Sequence, residues 1–356
     1  MLVLRAAMAT RERDVISSGA GLAADIALES GPELGERTDV RARGYWEQVW
    51  RRFRRDRVAI ASGVFIILLF IVAFGGAPLA ARLLGHGPDD LFFTGVTQDL
   101  LPVGPWSHID DPLTGKKDAI FLPLGASDTL GRDQFLRLLY GAQVSLEVAV
   151  LSTFNVMWIG VLLGAIAGYY RGWIDTIISR VTEITMAFPY LLFIIALAAT
   201  VGPRLDNVTL GVFGRGVITL ILVFSVFGWF YPARIMRAQV LSIREKEYVE
   251  AARMIGASDW RTIRSHVLPH LVAPIIVFST LIVATYILAE AGLSFLGLGI
   301  KTPTASWGNL LAGAPDFYKQ VPWLMVWPGL AVLVTTLAFN LLGDGLRDAF
   351  DPRGAR

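Results

Sequence analysis

Six apolar segments, each about as long as a membrane-spanning helix, recur along this chain of 356 residues. A bilayer core is about 30 Å thick, so a helix needs roughly 20 mostly apolar residues to cross it. Hydrophobic residues make up 54% of the chain and charged residues only 17%, whereas about 25% of a water-soluble domain is charged. The pattern predicts an all-α integral membrane protein with six transmembrane helices, at residues 58–77, 146–169, 181–201, 216–235, 271–293 and 323–343.

The distribution of lysine and arginine predicts how these helices are oriented. Cytoplasmic segments of membrane proteins carry an excess of basic residues. If the N-terminus lies inside, the inner segments of this chain carry clearly more lysines and arginines than the outer loops. We therefore predict that both termini face the cytoplasm (N-in, C-in), because an even number of spans returns the chain to the same side.

The segments before the second span differ in composition. Residues 1–42 are polar and lack sustained periodicity, which predicts a mobile cytoplasmic extension. From 43 to 57, Trp46, Trp50 and Phe53 recur at helical spacing between arginines. This favours an amphipathic helix in the inner interface, with its arginines towards anionic membrane lipid. Two roles are open for this helix: it could be a plain juxtamembrane anchor, or it could take part in gating.

A long loop separates the first two spans, and its Pro-, Gly- and Asp-rich middle favours a surface that faces a partner outside the membrane. The predicted order after the interfacial helix is the first transmembrane helix at 58–77, this extracytoplasmic loop at 78–143, a transmembrane core at 144–346 that includes an inner loop at 244–269, and a cytoplasmic tail at 347–356.

The inner loop at 244–269 carries a short amphipathic helix pattern. One predicted face is apolar and smooth, and the other is charged. The apolar positions are Tyr248, Ala251, Ala252 and Ile255, and the charged ones are Glu247, Glu250 and Arg253. The small alanines would allow a partner surface to approach closely.

Glycine and proline mark the turns of the same loop. Gly256 can adopt the positive φ that ends a helix sharply. Asp259 is predicted as the N-cap or a first-turn acid of a second short helix. Leu268 and Pro269 mark the turn into the fifth span.

Several motifs of the chain resemble those of bacterial ABC importer permeases. Glu250-Ala251-Ala252 with Gly256, and Leu268-Pro269 further on, resemble the coupling loop through which such permeases contact their ATPase. Residues from about 124 to 353 resemble the second membrane subunit of the dipeptide, oligopeptide and nickel uptake family. The supporting motifs are Gly131-Arg132-Asp133, Ala289-Glu290-Ala291, Leu293-Ser294-Phe295-Leu296-Gly297-Leu298-Gly299, Ser306-Trp307-Gly308-Asn309, Asn340-Leu341-Leu342-Gly343-Asp344-Gly345 and Asp351-Pro352-Arg353.

The resemblance implies a type I ABC importer permease fold in the bacterial inner membrane. It implies a second homologous permease, one or two ATP-binding subunits that hold ATP and magnesium, and an extracytoplasmic substrate-binding protein. The residues that it places against the ATPase are Glu247, Tyr248, Glu250, Ala251, Ala252, Gly256 and Ala257, with Leu268 and Pro269 forming the turn of the loop. No nucleic-acid partner is expected.

The residue types and motifs of the chain argue against catalysis by this chain alone. It contains no cysteine, and its four histidines show no metal-ligand spacing. No Gly-x-x-x-x-Gly-Lys-[Ser/Thr] phosphate loop occurs, since Gly115-Lys116-Lys117 lacks both the earlier glycine and the hydroxyl. We predict a subunit that is not an enzyme by itself and binds no cofactor or metal.

Polar residues inside the predicted spans are candidates for the substrate path. Ionisable residues within a bilayer are usually functional. Glu290, Asn155 and Asn340 are the candidates in this chain. Glu290 has a structural alternative, because it could cap a helix that faces water.

The predicted substrates are di- or oligopeptides, since few fixed charges along the path would suit variable peptides. Nickel chelates or another small solute are the alternatives within the same family. A stand-alone secondary transporter is the rival of a different class, but it would need midspan ionisable residues and usually paired broken helices.

Overall fold

The computed structural model describes residues 44–112, 114–208 and 216–351, and this part of the chain is mostly helical. The predicted extension at 1–42 lies outside the described residues. Helix α1, Tyr45–Phe53, occupies most of the predicted interfacial segment at 43–57. Residues up to Gln48 belong to a separate unit, and the unit that begins at Val49 contains everything described below.

The first span is longer than predicted. Helix α2, Arg57–Ile71, begins at Asp56, whose carboxylate accepts hydrogen bonds from the N–H groups of Val58 and Ala59. It continues through a π-helical turn, Val72–Gly76, into α3, Ala77–Leu84. Pro78 does not end the helix at 77, because proline is tolerated in a first helical turn.

The second span is a single helix of 37 residues, α4, Gln134–Tyr170. It begins at Asp133, whose side chain accepts hydrogen bonds from the N–H groups of Phe135 and Leu136. The segment between the first two spans therefore covers 85–133 rather than 78–143, since helix occupies both ends of the predicted loop. We call the Tyr170 end of the bundle the inner end and the Asp133 end the outer end, following the predicted orientation.

The outer segment adds a small sheet to the predicted all-α fold. Strands β1, Ser107–Ile109, and β2, Ile120–Leu122, pair antiparallel, with Ser107 opposite Leu122. Ile109 and Leu122 pack with Phe92 and Ala126 in a small apolar cluster. The proline- and glycine-rich composition had indicated only a loop.

The predicted third span at 181–201 is wrong as a single helix. The chain forms α5, Gly172–Met186, and α6, Tyr190–Val208, with a break that includes Pro189. The residue before a proline is disfavoured in helical conformation, and the ring removes a hydrogen-bond donor. The fourth span is also divided at Trp229, into α7, Val217–Gly228, and α8, Phe230–Arg244.

The remaining helices form the inner loop, the last two spans and a short helix in the segment between those spans. They are α9, Glu247–Met254; α10, Asp259–Thr262, which leads through a π-helical turn, Ile263–Val267, into α11, Leu268–Phe295; α12, Trp307–Ala312; and α13, Trp323–Phe350. The predicted tail from 347 is therefore helical as far as Phe350.

Five helical stretches in the described residues are long and apolar enough to cross a membrane. They are Arg57–Leu84, Gln134–Tyr170, Val217–Arg244, Asp259–Phe295 and Trp323–Phe350. Within α6, Leu192–Gly202 is a shorter apolar helix. Whether the divided third segment also crosses the membrane, which would give six spans, stays a prediction.

The bundle is built around α4, which packs along α8, α7 and α11. Its contact with α8 is close because Gly160, Gly164 and Gly168 form a stripe at four-residue spacing. A Cβ atom at Gly164 would lie 2.6 Å from the carbonyl oxygen of Ala233 and 2.8 Å from the Cβ of Met236. Small residues at such spacing allow membrane helices to approach closely.

Candidate coupling surface and translocation path

The inner loop contains the short helix that the sequence predicts, and it ends at Gly256. Helix α9 is followed by Gly256 with a φ of +86°. The N–H of Gly256 donates to the carbonyl of Arg253, and the N–H of Ala257 donates to that of Ala252. These two bonds form a Schellman motif, which suits glycine at the left-handed position. The predicted positive φ is confirmed.

Helix α9 turns one face to the bundle and leaves the other open. Val249 and Ala252 are buried. Glu247, Tyr248, Glu250 and Ala251 are exposed, and the side chains after them are nearly free of contacts, with Met254 81% and Ile255 86% exposed. Ala252 therefore does not belong to the open apolar face on which it was predicted, because helical geometry groups it with Val249 against the bundle. The open face combines acidic and large apolar side chains.

The second half of the loop fixes the start of α11. Ser258, not Asp259, is the N-cap of α10, and its hydroxyl accepts from the N–H of Arg261. Asp259 lies in the first turn of α10, which was the second of the two roles predicted for it. Leu268 and Pro269 do not form the predicted turn of the loop, because helix runs from Asp259 through the π-helical turn into α11, and proline is tolerated in the first turn of α11. Trp260, in α10, is largely exposed.

Charged side chains connect the inner ends of the helices. The guanidinium of Arg237 on α8 bonds to both carboxylate oxygens of Asp175 on α5, and the bond to Oδ2 is 2.7 Å long. This hydrogen bonding lowers the pKa of Asp175. Arg171 and Glu245 form a further, exposed ion pair between the end of α4 and the start of the inner loop. The first pair thus joins α8 to α5, and the second joins the end of α4 to the start of the inner loop.

Burial also affects the predicted coupling residue Tyr248. Its ring centroid lies 6.4 Å from that of His266 and 5.4 Å from that of His270. Partial burial raises the pKa of Tyr248, so its hydroxyl is neutral at physiological pH. It is a hydrogen-bonding group rather than a charge at this surface.

Tyr169 is a residue of this region that the sequence analysis missed. It lies in the last turn of α4 and is buried, with only 2% of its surface exposed. Its hydroxyl donates to Asp259, in the second half of the inner loop. The sequence contains one signal, the tyrosine pair Tyr169-Tyr170 followed by Arg171 at the inner end of the predicted span. This pattern does not predict which of the two tyrosines faces the loop.

Glu290 does not face water or an open path. It is fully buried between α4, α11 and the start of α12. The hydroxyls of Ser145 and Ser294 donate to its carboxylate over 2.8 and 2.7 Å, and Ser306 also bonds to it. The alternative of a helix cap in water is wrong, and this enclosure does not favour contact with a substrate.

The other two predicted path residues lie apart from this cluster. Asn155 is half-buried on α4, and Asn340 is half-buried on α13. Neither is among the residues that line the apolar cavity described next. Their role in the path stays a prediction.

An apolar cavity of about 580 Å³ lies among α5, α6, α7, α8 and α11. Half of its lining residues are aromatic, and its polar side-chain groups are threonine and tyrosine hydroxyls. The lining includes Thr185, Phe188, Phe193, Phe227, Tyr231, Phe278, Thr285 and Tyr286. Its volume is typical of small-molecule sites, which are usually apolar with a few polar groups.

Both helix breaks lie at this cavity. Phe188 belongs to the break between α5 and α6, and Gly228 and Phe230 flank the break at Trp229. Irregular backbone within a membrane is tolerated where it is buried in protein or lines a cavity.

Membrane-length helices, an exposed short helix packed at their inner end and an apolar cavity between five helices are together the features of a solute-transport permease. Comparisons with known proteins agree with this class. A family described as binding-protein-dependent transport system inner membrane component matches residues 160–356. The N-terminal transmembrane domain of oligopeptide transport permease C matches residues 44–102.

Two curated relatives cover most of the chain. The glutathione transport system permease protein GsiD of Pectobacterium atrosepticum is 38% identical over 315 residues, 88% of this chain and 93% of its own. The dipeptide transport system permease protein DppC of Alkalihalophilus pseudofirmus is 35% identical over 308 residues, 86% of this chain and 90% of its own. Among solved structures, the inward-facing MetNI methionine ABC transporter aligns with 61% of this chain and 97% of its own, with a TM-score of 0.49 and 17% identity.

The chain belongs to the family of binding-protein-dependent transport system inner membrane components. It is a permease component of an ABC transporter and a multi-pass protein of the bacterial inner membrane. The resemblance drawn from its motifs is thereby confirmed.

Proposed function

We propose that this chain is one of two related membrane subunits of an ATP-driven importer of short peptides. The observation that carries the proposal is the open face of α9, an acidic and apolar surface held rigidly at the inner end of the bundle. The chain pairs with a second permease, and one or two separate ATPase subunits dock on α9. An extracytoplasmic binding protein delivers the substrate to the outer segment at 85–133.

The size and chemistry of α9 suit docking into a groove of the ATPase. A helix of eight residues is about 12 Å long. Met254 and Ile255 would be buried by a partner, and Glu247 and Glu250 would meet basic groups at its rim. ATP and magnesium are bound by that partner, and this chain holds no cofactor of its own.

Peptide import is supported by the cavity and by the names of the relatives. The aromatic wall accepts varied side chains, and the hydroxyls of Thr185, Tyr231 and Thr285 can bond to peptide groups. The two relatives above are named for glutathione and dipeptide transport. The cavity forms this subunit's half of the path.

Membrane lipid is the remaining partner. The side chains of Arg51, Arg54 and Arg55 are exposed, and Trp50 beside them is exposed as well. Tryptophan prefers the headgroup layer, and arginines attract anionic lipid. Helix α1 therefore lies in the inner interface.

An affinity pull-down of the tagged chain from mild-detergent membranes tests the assembly. We expect mass spectrometry to identify a second permease, an ATPase with a phosphate loop and a binding protein. If only the chain itself is recovered, as a monomer or homo-oligomer, the proposal fails. Uptake by that chain in proteoliposomes, driven by an ion gradient alone, would identify a secondary transporter instead.

Two variants test whether α9 is the docking helix. Glu250→Arg reverses a charge on the open face, and Gly256→Pro removes the N–H that donates to Arg253 and cannot keep a positive φ. Both are expected to lower substrate-stimulated ATP hydrolysis by about tenfold while the protein remains inserted. The control is Asp348→Arg, the same type of charge reversal at an exposed inner position of α13. Equal stimulation in all three variants would place the contact elsewhere.

A further inference from the structure

Tyr169 connects α4 to both halves of the inner loop through one hydroxyl group. The hydroxyl donates to Oδ1 of Asp259 over 2.8 Å and accepts from Nε of Arg253 over 3.3 Å. Arg253 belongs to α9, and Asp259 to the first turn of α10. A displacement of either short helix therefore acts on the same atom of α4.

The ring of Tyr169 adds a second set of contacts. The guanidinium carbon of Arg253 lies 4.7 Å from the ring centroid, and that of Arg244 lies 5.8 Å from it. Cations within about 6 Å of an aromatic centroid are attracted by its π face. Arg244 is the last residue of α8, so the ring also contacts the helix that enters the loop.

Apolar packing fixes the position of this tyrosine. Tyr169 belongs to a buried cluster with Met236 and Val240 of α8 and Ile263, Val267 and Leu271 around the start of α11. Packing of this kind has no preferred direction. The two hydrogen bonds, by contrast, depend on distance and angle and thus define one register between the loop and α4.

Resting on the proposed function, we propose that Tyr169 is a positioning residue that transmits the movement of the docking helix α9 to α4. When the ATPase moves α9, Arg253 and Asp259 move with their helices, and the Tyr169 hydroxyl holds the inner end of α4 in register with them. Val249 and Ala252 keep α9 against the bundle, whereas Tyr169 makes the two move together.

The adjacent tyrosine provides a matched control. Tyr169→Phe removes the hydroxyl and keeps the buried ring with its cation contacts. Tyr170→Phe is the same chemical change one residue further along, at a side chain that is 46% exposed. Each variant is reconstituted in proteoliposomes with the subunits recovered by the pull-down, and ATP hydrolysis is measured with and without substrate-loaded binding protein.

We expect Tyr169→Phe to keep its assembly, its melting temperature to within a few degrees and its basal ATP hydrolysis. Stimulation by the loaded binding protein, and peptide uptake, should fall by about tenfold, because two hydrogen bonds to charged groups are lost. Tyr170→Phe should behave like the unmodified protein. If the unmodified complex is stimulated by the loaded binding protein and the two variants are stimulated equally, this inference is overturned while the proposed function stands.

A second variant covers the case in which Tyr169→Phe does not assemble. Asp259→Ala removes one of the two hydrogen bonds from the loop side and leaves the tyrosine and its bond to Arg253 in place, so it should lower stimulation by a smaller factor than the tenfold expected for Tyr169→Phe. Full stimulation of Asp259→Ala would overturn the inference. If the unmodified chain neither assembles with an ATPase nor responds to a binding protein, the proposed function fails, and this inference fails with it.

Discussion

Three serine hydroxyls surround the carboxylate of Glu290, and each one also accepts a hydrogen bond from a backbone N–H. Ser145 accepts from Trp307 over 3.3 Å, and Ser294 accepts from Ile300 over 3.0 Å. Ser306 accepts from Asn309 as the N-cap of α12. The hydroxyls of Ser145 and Ser294 donate to Glu290, and Ser306 also bonds to it, so Glu290 joins α4, α11 and the start of α12.

Glu290→Gln should destabilise the protein, because an amide NH₂ would replace one acceptor oxygen among hydroxyl donors. We expect a loss of about 1–3 kcal/mol in the free energy of unfolding, the cost of an unsatisfied buried polar group. Thermal unfolding of the detergent-solubilised protein measures it. The control is Glu147→Gln on α4, where the half-buried carboxylate has no hydrogen bond or ion pair to the described residues. Equal melting temperatures for both variants would contradict the role of Glu290.

At the residue scale, the sequence could identify local backbone roles better than side-chain partners. The positive φ of Gly256 follows from the chemistry of glycine, and this prediction is confirmed. The predicted chain turn at Leu268-Pro269 is wrong, because helix continues through these residues from Asp259 to Phe295. Glu290 was recognised as an unusual charge, but its serines lie up to 145 positions away in the chain. Tyr169 likewise meets Asp259 only because α4 and the inner loop converge.

At the element scale, the glycine stripe of α4 sets the distance between α4 and α8. A Cβ atom at Gly160 would lie 2.7 Å from the Cβ of Pro232, and one at Gly168 would lie 2.8 Å from the carbonyl oxygen of Arg237. The neighbours at these points are largely backbone or Cβ atoms, which cannot move without moving α8. The contact therefore depends on glycine.

Gly164→Leu should separate α4 from α8 and destabilise the bundle by about 1–3 kcal/mol or more, as overpacking does. Thermal unfolding and the yield of monodisperse protein in detergent measure the effect. Gly292→Leu is the matched control, because Gly292 lies at an exposed position of α11, where an added Cβ would have no neighbouring atom within 4 Å. If Gly164→Leu unfolds no earlier than Gly292→Leu, the close approach is not what stabilises this pair.

Element boundaries were the weakest part of the sequence prediction, for a physical reason. Hydropathy locates only the part of a helix that lies in hydrocarbon, so the predicted second span began at residue 146, whereas α4 begins at Gln134. The same method joins apolar residues across a break, as it did at Pro189 between α5 and α6. The existence and order of five long helices could still be predicted, because each carries an uninterrupted apolar stretch.

At the scale of the whole molecule, the cavity between the broken helices and α11 predicts where a substrate passes. Thr285→Trp would fill part of it and should lower peptide uptake by the assembled transporter by about tenfold, a barrier increase of about 1.4 kcal/mol. Leu288→Trp is the control, because Leu288 is exposed on the same helix and outside the cavity lining. Labelled dipeptide uptake measures both, and equal rates would mean that the path runs elsewhere.

The absence of cysteine makes the predicted orientation directly measurable. Lys117→Cys lies in the outer segment and Arg261→Cys in the inner loop, and both positions are exposed. A membrane-impermeant maleimide should label Lys117→Cys in intact spheroplasts and Arg261→Cys only after permeabilisation. The reverse labelling pattern would contradict the N-in, C-in topology.

The length of α4 has a mechanical consequence. Its 37 residues make a rod about 55 Å long. Gly164, in the middle of the glycine contact, lies about 8 Å from Tyr169 along the axis and about 45 Å from the outer end at Gln134. A rigid α4 that tilts about this fulcrum would multiply a small excursion at Tyr169 roughly sixfold at its far end. In the reverse direction, a displacement of the outer end of α4 would move its inner end, at Tyr169, by about one sixth as much.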